Sequence, residues 1–109
     1  MKFKLIITLF FATSAVAQIQ KENIEVIGNC NMCKKRIEKA ALNTKGVKYA
    51  SWNSEAQQLT LIYNQEKTNI KRIATNIAAV GHQADSIVAP DQVYNSLPEC
   101  CFYRKVSPH

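Results

Sequence analysis

Three glycines, three prolines, one tryptophan and two histidines are all that the 109 residues contain of those types, and each shortage removes an explanation. The glycines stand apart at positions 28, 46 and 81, so the chain has no glycine-rich phosphate-binding loop. With only His82 and His109 there is no serine–histidine–aspartate trio to assemble, and the carboxylates are scattered rather than paired. Hydrolytic and acid–base catalysis therefore lack their groups, and the chain reads as a binding protein rather than an enzyme. Aromatics make up 8% and do not interleave with the basic residues, so the net charge of +6 speaks for a solvated basic face rather than a nucleic-acid partner. Such a face can help docking to an acidic partner surface.

Long apolar runs are also missing, apart from one at the start. Lys2 and Lys4 precede an apolar stretch from Leu5 to Phe11, and Ala15-Val16-Ala17 supplies small residues at the alternate positions that a signal peptidase reads. This pattern predicts an export signal over residues 1–17, cleaved after Ala17, and a periplasmic or secreted product. The run is too short for a hydrocarbon core of roughly 30 Å. No cysteine follows the cleavage site, so neither a stable membrane anchor nor a lipid anchor there is expected.

Residues 18–89 have the periodicity of one small domain. Ile24 and Val26 alternate with Asn23 and Glu25 as in a half-buried strand. Cys33, Ile37, Ala40 and Ala41 then share one helical face opposite Lys34, Lys35, Glu38 and Lys39, with Asn43 or Gly46 to close the helix. Val47, Ala50 and Trp52 form a second strand whose uneven spacing predicts a bulge, and Asn53-Ser54-Glu55 suits a hairpin turn. Leu59, Leu61 and Tyr63 mark a third strand. A second helix carries Ile70, Ile73, Ala74 and Ile77, with Thr68 as its cap and Gly81 as its stop. Residues 83–88 read as a short fourth strand. The expected plan is α+β, a ferredoxin-like βαββαβ sandwich with two helices on one face of a four-stranded antiparallel sheet. Residues 90–109 form a tail in which Asp91 to Leu97 can make a helical turn. The last six residues, polar in character, are expected to fray.

The chemistry lies in the cysteines. Gly28-Asn29-Cys30-Asn31-Met32-Cys33 places a Cys-x-x-Cys pair where the first strand ends and the first helix begins. Two sulfurs at that spacing reach one ion, and thiolates select soft metals: Cu(I) first, with Zn(II) or Hg(II) as alternatives. The helix N-terminus and the following Lys34, Lys35 and Arg36 favour ionised thiols and offset the charge of a metal dithiolate. A structural disulfide and a thioredoxin-like redox pair are the other readings of the same spacing. Cys100 and Cys101 make four cysteines in all, and four allow three disulfide pairings among Cys30, Cys33, Cys100 and Cys101. Adjacent cysteines rarely bridge each other. The tail pair thus reads as further ligands if it folds back over the Cys30 loop, or as an anchor by disulfide or burial. Met32 offers a thioether to Cu(I), though such a methionine is more often a loop hydrophobe. Trp52, Tyr49 and Tyr63 read as sheet packing.

Taken together, the Cys-x-x-Cys between strand and helix, Gly46-Val47, the hairpin, and a second helix ending at Gly81 resemble the heavy-metal-associated domain family over about residues 19–88. The resemblance implies that Cys30 and Cys33 are metal ligands, and that a soft ion is handed by ligand exchange to a transporter or another metal-binding domain. It also implies that His82 lies beside the cysteine loop, as a third ligand, a supporting donor, or simply a partly exposed loop histidine. The family's usual Gly-Met-Thr/His-Cys-x-x-Cys is altered here: Gly28 stands where the methionine that packs under the loop would be. A monomer and a dimer bridged by shared metal both suit such a site. The alternative functions are a thiol–disulfide redox protein and a disulfide-stapled interaction module.

Overall fold

The computed structural model describes residues 18–104. The export segment 1–17 with its cleavage site, and His109, lie outside the described residues. Strand β1 (Ile19–Glu25) leads to helix α1 (Asn31–Leu42), strands β2 (Val47–Asn53) and β3 (Gln58–Asn64), and helix α2 (Ile70–Ala78). A single turn, α3 (Asp91–Tyr94), and a 3-10 turn, Glu99–Cys101, follow in the tail.

The three strands form an antiparallel sheet in the order β1-β3-β2, with Ile24 opposite Leu59 and Trp52 opposite Leu59 from the other side. Side chains alternate across a strand, so Leu59, Leu61 and Tyr63 share one face, and all three are buried. Against that face lie Cys33, Ile37, Ala40 and Ala41 of α1 and Ile73, Ala74 and Ile77 of α2, the apolar stripes of both helices. The uneven spacing in β2 is a register shift between Val47 and Tyr49. Tyr49 is exposed, whereas Trp52 and Tyr63 belong to the core.

The fourth strand is reduced to a remnant. Val26 and Ala84 form one antiparallel bridge on the free edge of β1, the position a fourth strand takes in a ferredoxin-like sheet. Asp85 has φ 56°, and Ala84 and Ile87 bond each other across the resulting tight turn. A chain that reverses at Asp85 cannot continue along β1, which is why residues 83–88 do not extend into a strand. The cap of α2 also differs from expectation. Asn69, not Thr68, accepts the N–H of Arg72 at 2.8 Å, while Thr68 is buried one residue earlier.

The tail packs onto the domain. Leu97 fills the space over Gly81, where a Cβ would come within 2.8 Å of a Leu97 methyl. Tyr103 donates its hydroxyl to the Gly81 carbonyl at 2.6 Å and accepts the N–H of Gln83 at 3.1 Å. Arg104, expected to fray, instead lies 4.1 Å from the centre of the Tyr94 ring, with bonds to Asp91 and the Ala89 carbonyl. The Tyr94 ring and the two hydrogen bonds hold Arg104 in place; residues 105–109 lie outside the described residues. Among the described residues no helix is long and apolar enough to cross a membrane.

Candidate metal centre

Cys30 occupies the N-cap of α1 in extended conformation and is partly exposed. Cys33 lies one turn further along the core face and is fully buried. Their Sγ atoms are 3.7 Å apart. The loop before them is held from beneath. A Cβ at Gly28 would meet two Trp52 ring carbons and the Cys33 Cβ, each at 3.1 Å. The Trp52 indole, anchored through Nε1–H to the Val26 carbonyl at 2.9 Å, thus occupies the space under the loop.

The 3-10 turn brings both tail cysteines to the same spot. Cys100 Sγ lies 3.3 Å from Cys30 Sγ, Cys101 Sγ lies 2.6 Å from Cys33 Sγ, and the two tail sulfurs are 4.0 Å apart. All four cysteines are free thiols. Asn29 fixes this arrangement, its side-chain amide donating to the Cys100 carbonyl at 3.2 Å. Met32 joins the rim, with Sδ 3.6 Å from Cys100 Sγ.

His82 closes the inner side. It is fully buried, its ring stacks on Tyr103 at 5.3 Å, and Nδ1 lies 2.9 Å from the Ile27 carbonyl oxygen. A carbonyl only accepts, so Nδ1 carries the hydrogen and Nε2 keeps its lone pair. Nε2 has no hydrogen-bond partner among the described residues. Two groups of donors lie close enough to hold an ion, each with all atoms within 4.8 Å of one another: Cys30, Cys100 and Cys101, and Cys33, His82 and Cys101.

Electrostatics distinguish the thiols. Burial alone pushes the Cys30 thiol up, but the N–H of Cys33, the Cys100 thiol, the N–H of Met32 and the Cys33 thiol all favour the thiolate, and the net result is a fall from 9.0 to about 7. Cys100 moves the other way, raised chiefly by its bond to Cys30. Burial, then the neighbouring Cys33, raises Cys101 strongly. Burial lowers His82 to about 4, against the bond to Ile27, with Arg36 lowering it further, so the ring is neutral at pH 7.

The basic residues after the loop divide. Lys34 is engaged by Glu38 at 2.6 Å and by the Trp52 carbonyl at 3.0 Å, and Lys35 is exposed. Arg36 alone of the three reaches a sulfur, with a guanidinium nitrogen 3.9 Å from Cys101 Sγ. The sequence singles out the four cysteines, His82 and Met32, and the fold brings all six together. The sequence does not single out Asn29 and Tyr103, which hold the tail in place. The only signal for them was an amide beside the motif and an aromatic beside the tail cysteines.

Comparison with known proteins agrees with this geometry. The sequence model of the heavy-metal-associated domain matches residues 13–83. Among solved structures, a CopZ metallochaperone is 29% identical, with a TM-score of 0.57 over 60% of this chain and 98% of that one. The water-soluble region of the P-type ATPase CopA from Bacillus subtilis is 27% identical, with a TM-score of 0.56 over 61% of this chain and 44% of that one. Oxidised MerP from Ralstonia metallidurans CH34 shares the fold at 22% identity and a TM-score of 0.59, over 62% and 94% of the two chains. No curated protein matches the chain. A match across most of the chain, a ferredoxin-like fold, and paired cysteines at the start of the first helix have one common explanation: the chain belongs to the heavy-metal-associated domain family.

Proposed function

We propose that this protein binds a soft metal ion, Cu(I) in the first place and Zn(II) or Hg(II) as alternatives, through Cys30 and Cys33. It then buffers that ion or passes it to a transport system. The observation that carries this reading is the 3.7 Å separation of the two sulfurs, with Cys30 partly exposed and held near pKa 7. A thiol drawn down from 9.0 toward neutrality is the readier nucleophile and metal ligand. An ion is taken up as each thiol gives its proton to water. It leaves when a partner's thiolate enters the coordination sphere and displaces first one protein sulfur and then the other. The partly exposed Cys30 is the sulfur an incoming ligand reaches first. Buried Cys33 is the one released last.

The 1–17 segment supports export and action outside the cytoplasm, as a monomer or a dimer bridged by metal. A copper form of CopA from Bacillus subtilis, 26% identical with a TM-score of 0.54, supports the choice of copper, and the P-type ATPase CopA supports a transporter as partner. A second reading rests on the 2.6 Å approach of Cys33 and Cys101, which suits a disulfide-stapled module or a thiol–disulfide exchange protein. Competition for Cu(I) against a chromophoric chelator separates these readings. The reduced protein should strip copper from the chelator and the Cys30→Ser/Cys33→Ser variant should not. Equal competition by both would overturn the proposal.

A further inference from the structure

Two cysteines suffice for handing over one ion, yet beside the Met32 thioether this chain brings four thiols and an imidazole nitrogen together. The four thiols come from segments about 70 residues apart, and the fifth donor, Nε2 of His82, is buried and unpartnered. A buried ring nitrogen without a partner costs stability, so its retention needs a reason. A single ion held by four sulfurs does not supply one, because it leaves Nε2 without a partner.

We propose that the protein holds two Cu(I) ions side by side, bridged by the Cys101 thiolate. The outer ion takes Cys30, Cys100 and Cys101, and the inner ion takes Cys33, His82 and Cys101, the two groups whose donor atoms lie within 4.8 Å of one another. This rests on the reading that the Cys30 loop takes a soft ion, and it extends that reading from a two-sulfur transfer site to a capped store. A thiolate has lone pairs enough to bridge two soft cations, and each ion then has three soft or borderline donors.

The fold builds the arrangement rather than merely allowing it. Asn29 pins the Cys100 carbonyl, Tyr103 ties the tail to Gly81 and Gln83 while stacking on His82, and the Ile27 carbonyl keeps the Nε2 lone pair free. On loading, the four cysteines give up to solvent whatever thiol protons they still carry. Four thiolates around two monovalent ions leave a net negative charge, and the Arg36 guanidinium faces it from 3.9 Å beyond Cys101.

The reduced protein, titrated anaerobically with Cu(I)–acetonitrile and followed by native mass spectrometry, tests this directly. Two ions per monomer are expected, falling to one in Cys100→Ser, which removes an exposed sulfur without disturbing the core. His82→Asn is likewise expected to hold one. Copper K-edge absorption of the two-ion form should show a copper neighbour to copper and a nitrogen donor. A wild type that saturates at one ion per monomer, or two ions without a copper–copper contact, overturns the two-ion site while leaving metal binding by Cys30 and Cys33 intact. A wild type that binds no ion overturns both.

Discussion

Nδ1 of His82 lies 2.9 Å from the carbonyl oxygen of Ile27, and this one bond commits the opposite nitrogen to act as a lone-pair donor inside the protein. Burial also holds the ring neutral, with a pKa of about 4 against the ordinary 6.5. The unfolded chain therefore takes up a proton near pH 6.5 that the folded protein refuses until about pH 4. Stability is full above that window and falls as pH drops through it, by up to about 3 kcal/mol. Urea unfolding of the metal-free protein at pH 7 and pH 4.5 should show the loss, and His82→Gln should flatten the difference.

Thiol reactivity should be ordered by environment. Cys30, drawn down to about pH 7, should be alkylated by iodoacetamide with a rate that rises through a midpoint near 7. Cys101, buried and shifted upward, should react last. Peptide mapping after timed labelling checks the order, and a Cys101 that labels first would contradict it.

Oxidation should lock the tail. With Cys33 and Cys101 sulfurs 2.6 Å apart, diamide should draw two electrons and two protons from that pair and leave a bridge between segments 68 residues apart in sequence. Closing a loop of that length stabilises the folded state by up to about 4 kcal/mol. The oxidised protein should melt higher, lose its affinity for Cu(I), and return to the starting state with dithiothreitol. Non-reducing peptide mapping identifies the bridge.

Gly81→Ala should loosen the tail. Gly81 has φ +112°, a conformation that side chains disfavour, and a Cβ there would come within 2.8 Å of Leu97. A destabilisation of about 1–3 kcal/mol is expected. Proteolysis within residues 90–104 should speed up more than global unfolding does, because Leu97 and Tyr103 both depend on that corner.

Much of this was legible in the sequence, for reasons that differ by element. The α1 and α2 stripes, the alternation in β3 and the bulge in β2 are local patterns of burial, and local patterns survive translation into structure. The fourth strand did not survive, because a reversal at Asp85 is a backbone event that the apolar residues Ala84, Ile87 and Val88 do not announce. That Cys30 and Cys33 approach each other was readable from their spacing at the start of a helix. That Cys100 and Cys101 reach them depends on Asn29 and Tyr103, which bond the tail to the motif loop and to the end of α2, and on Arg104, which braces the tail on itself. Among the basic residues, composition could not distinguish Arg36, which reaches a sulfur, from Lys34, which Glu38 holds.

The account stands most directly on where a soft ion sits. The reduced, isotope-labelled protein titrated with Cu(I) and followed by amide NMR would locate it. The account predicts shifts concentrated at Asn29 to Cys33, with further changes at His82 and Cys101, and little movement in the hairpin between β2 and β3. Binding that leaves the amides of residues 29–33 unmoved would contradict it.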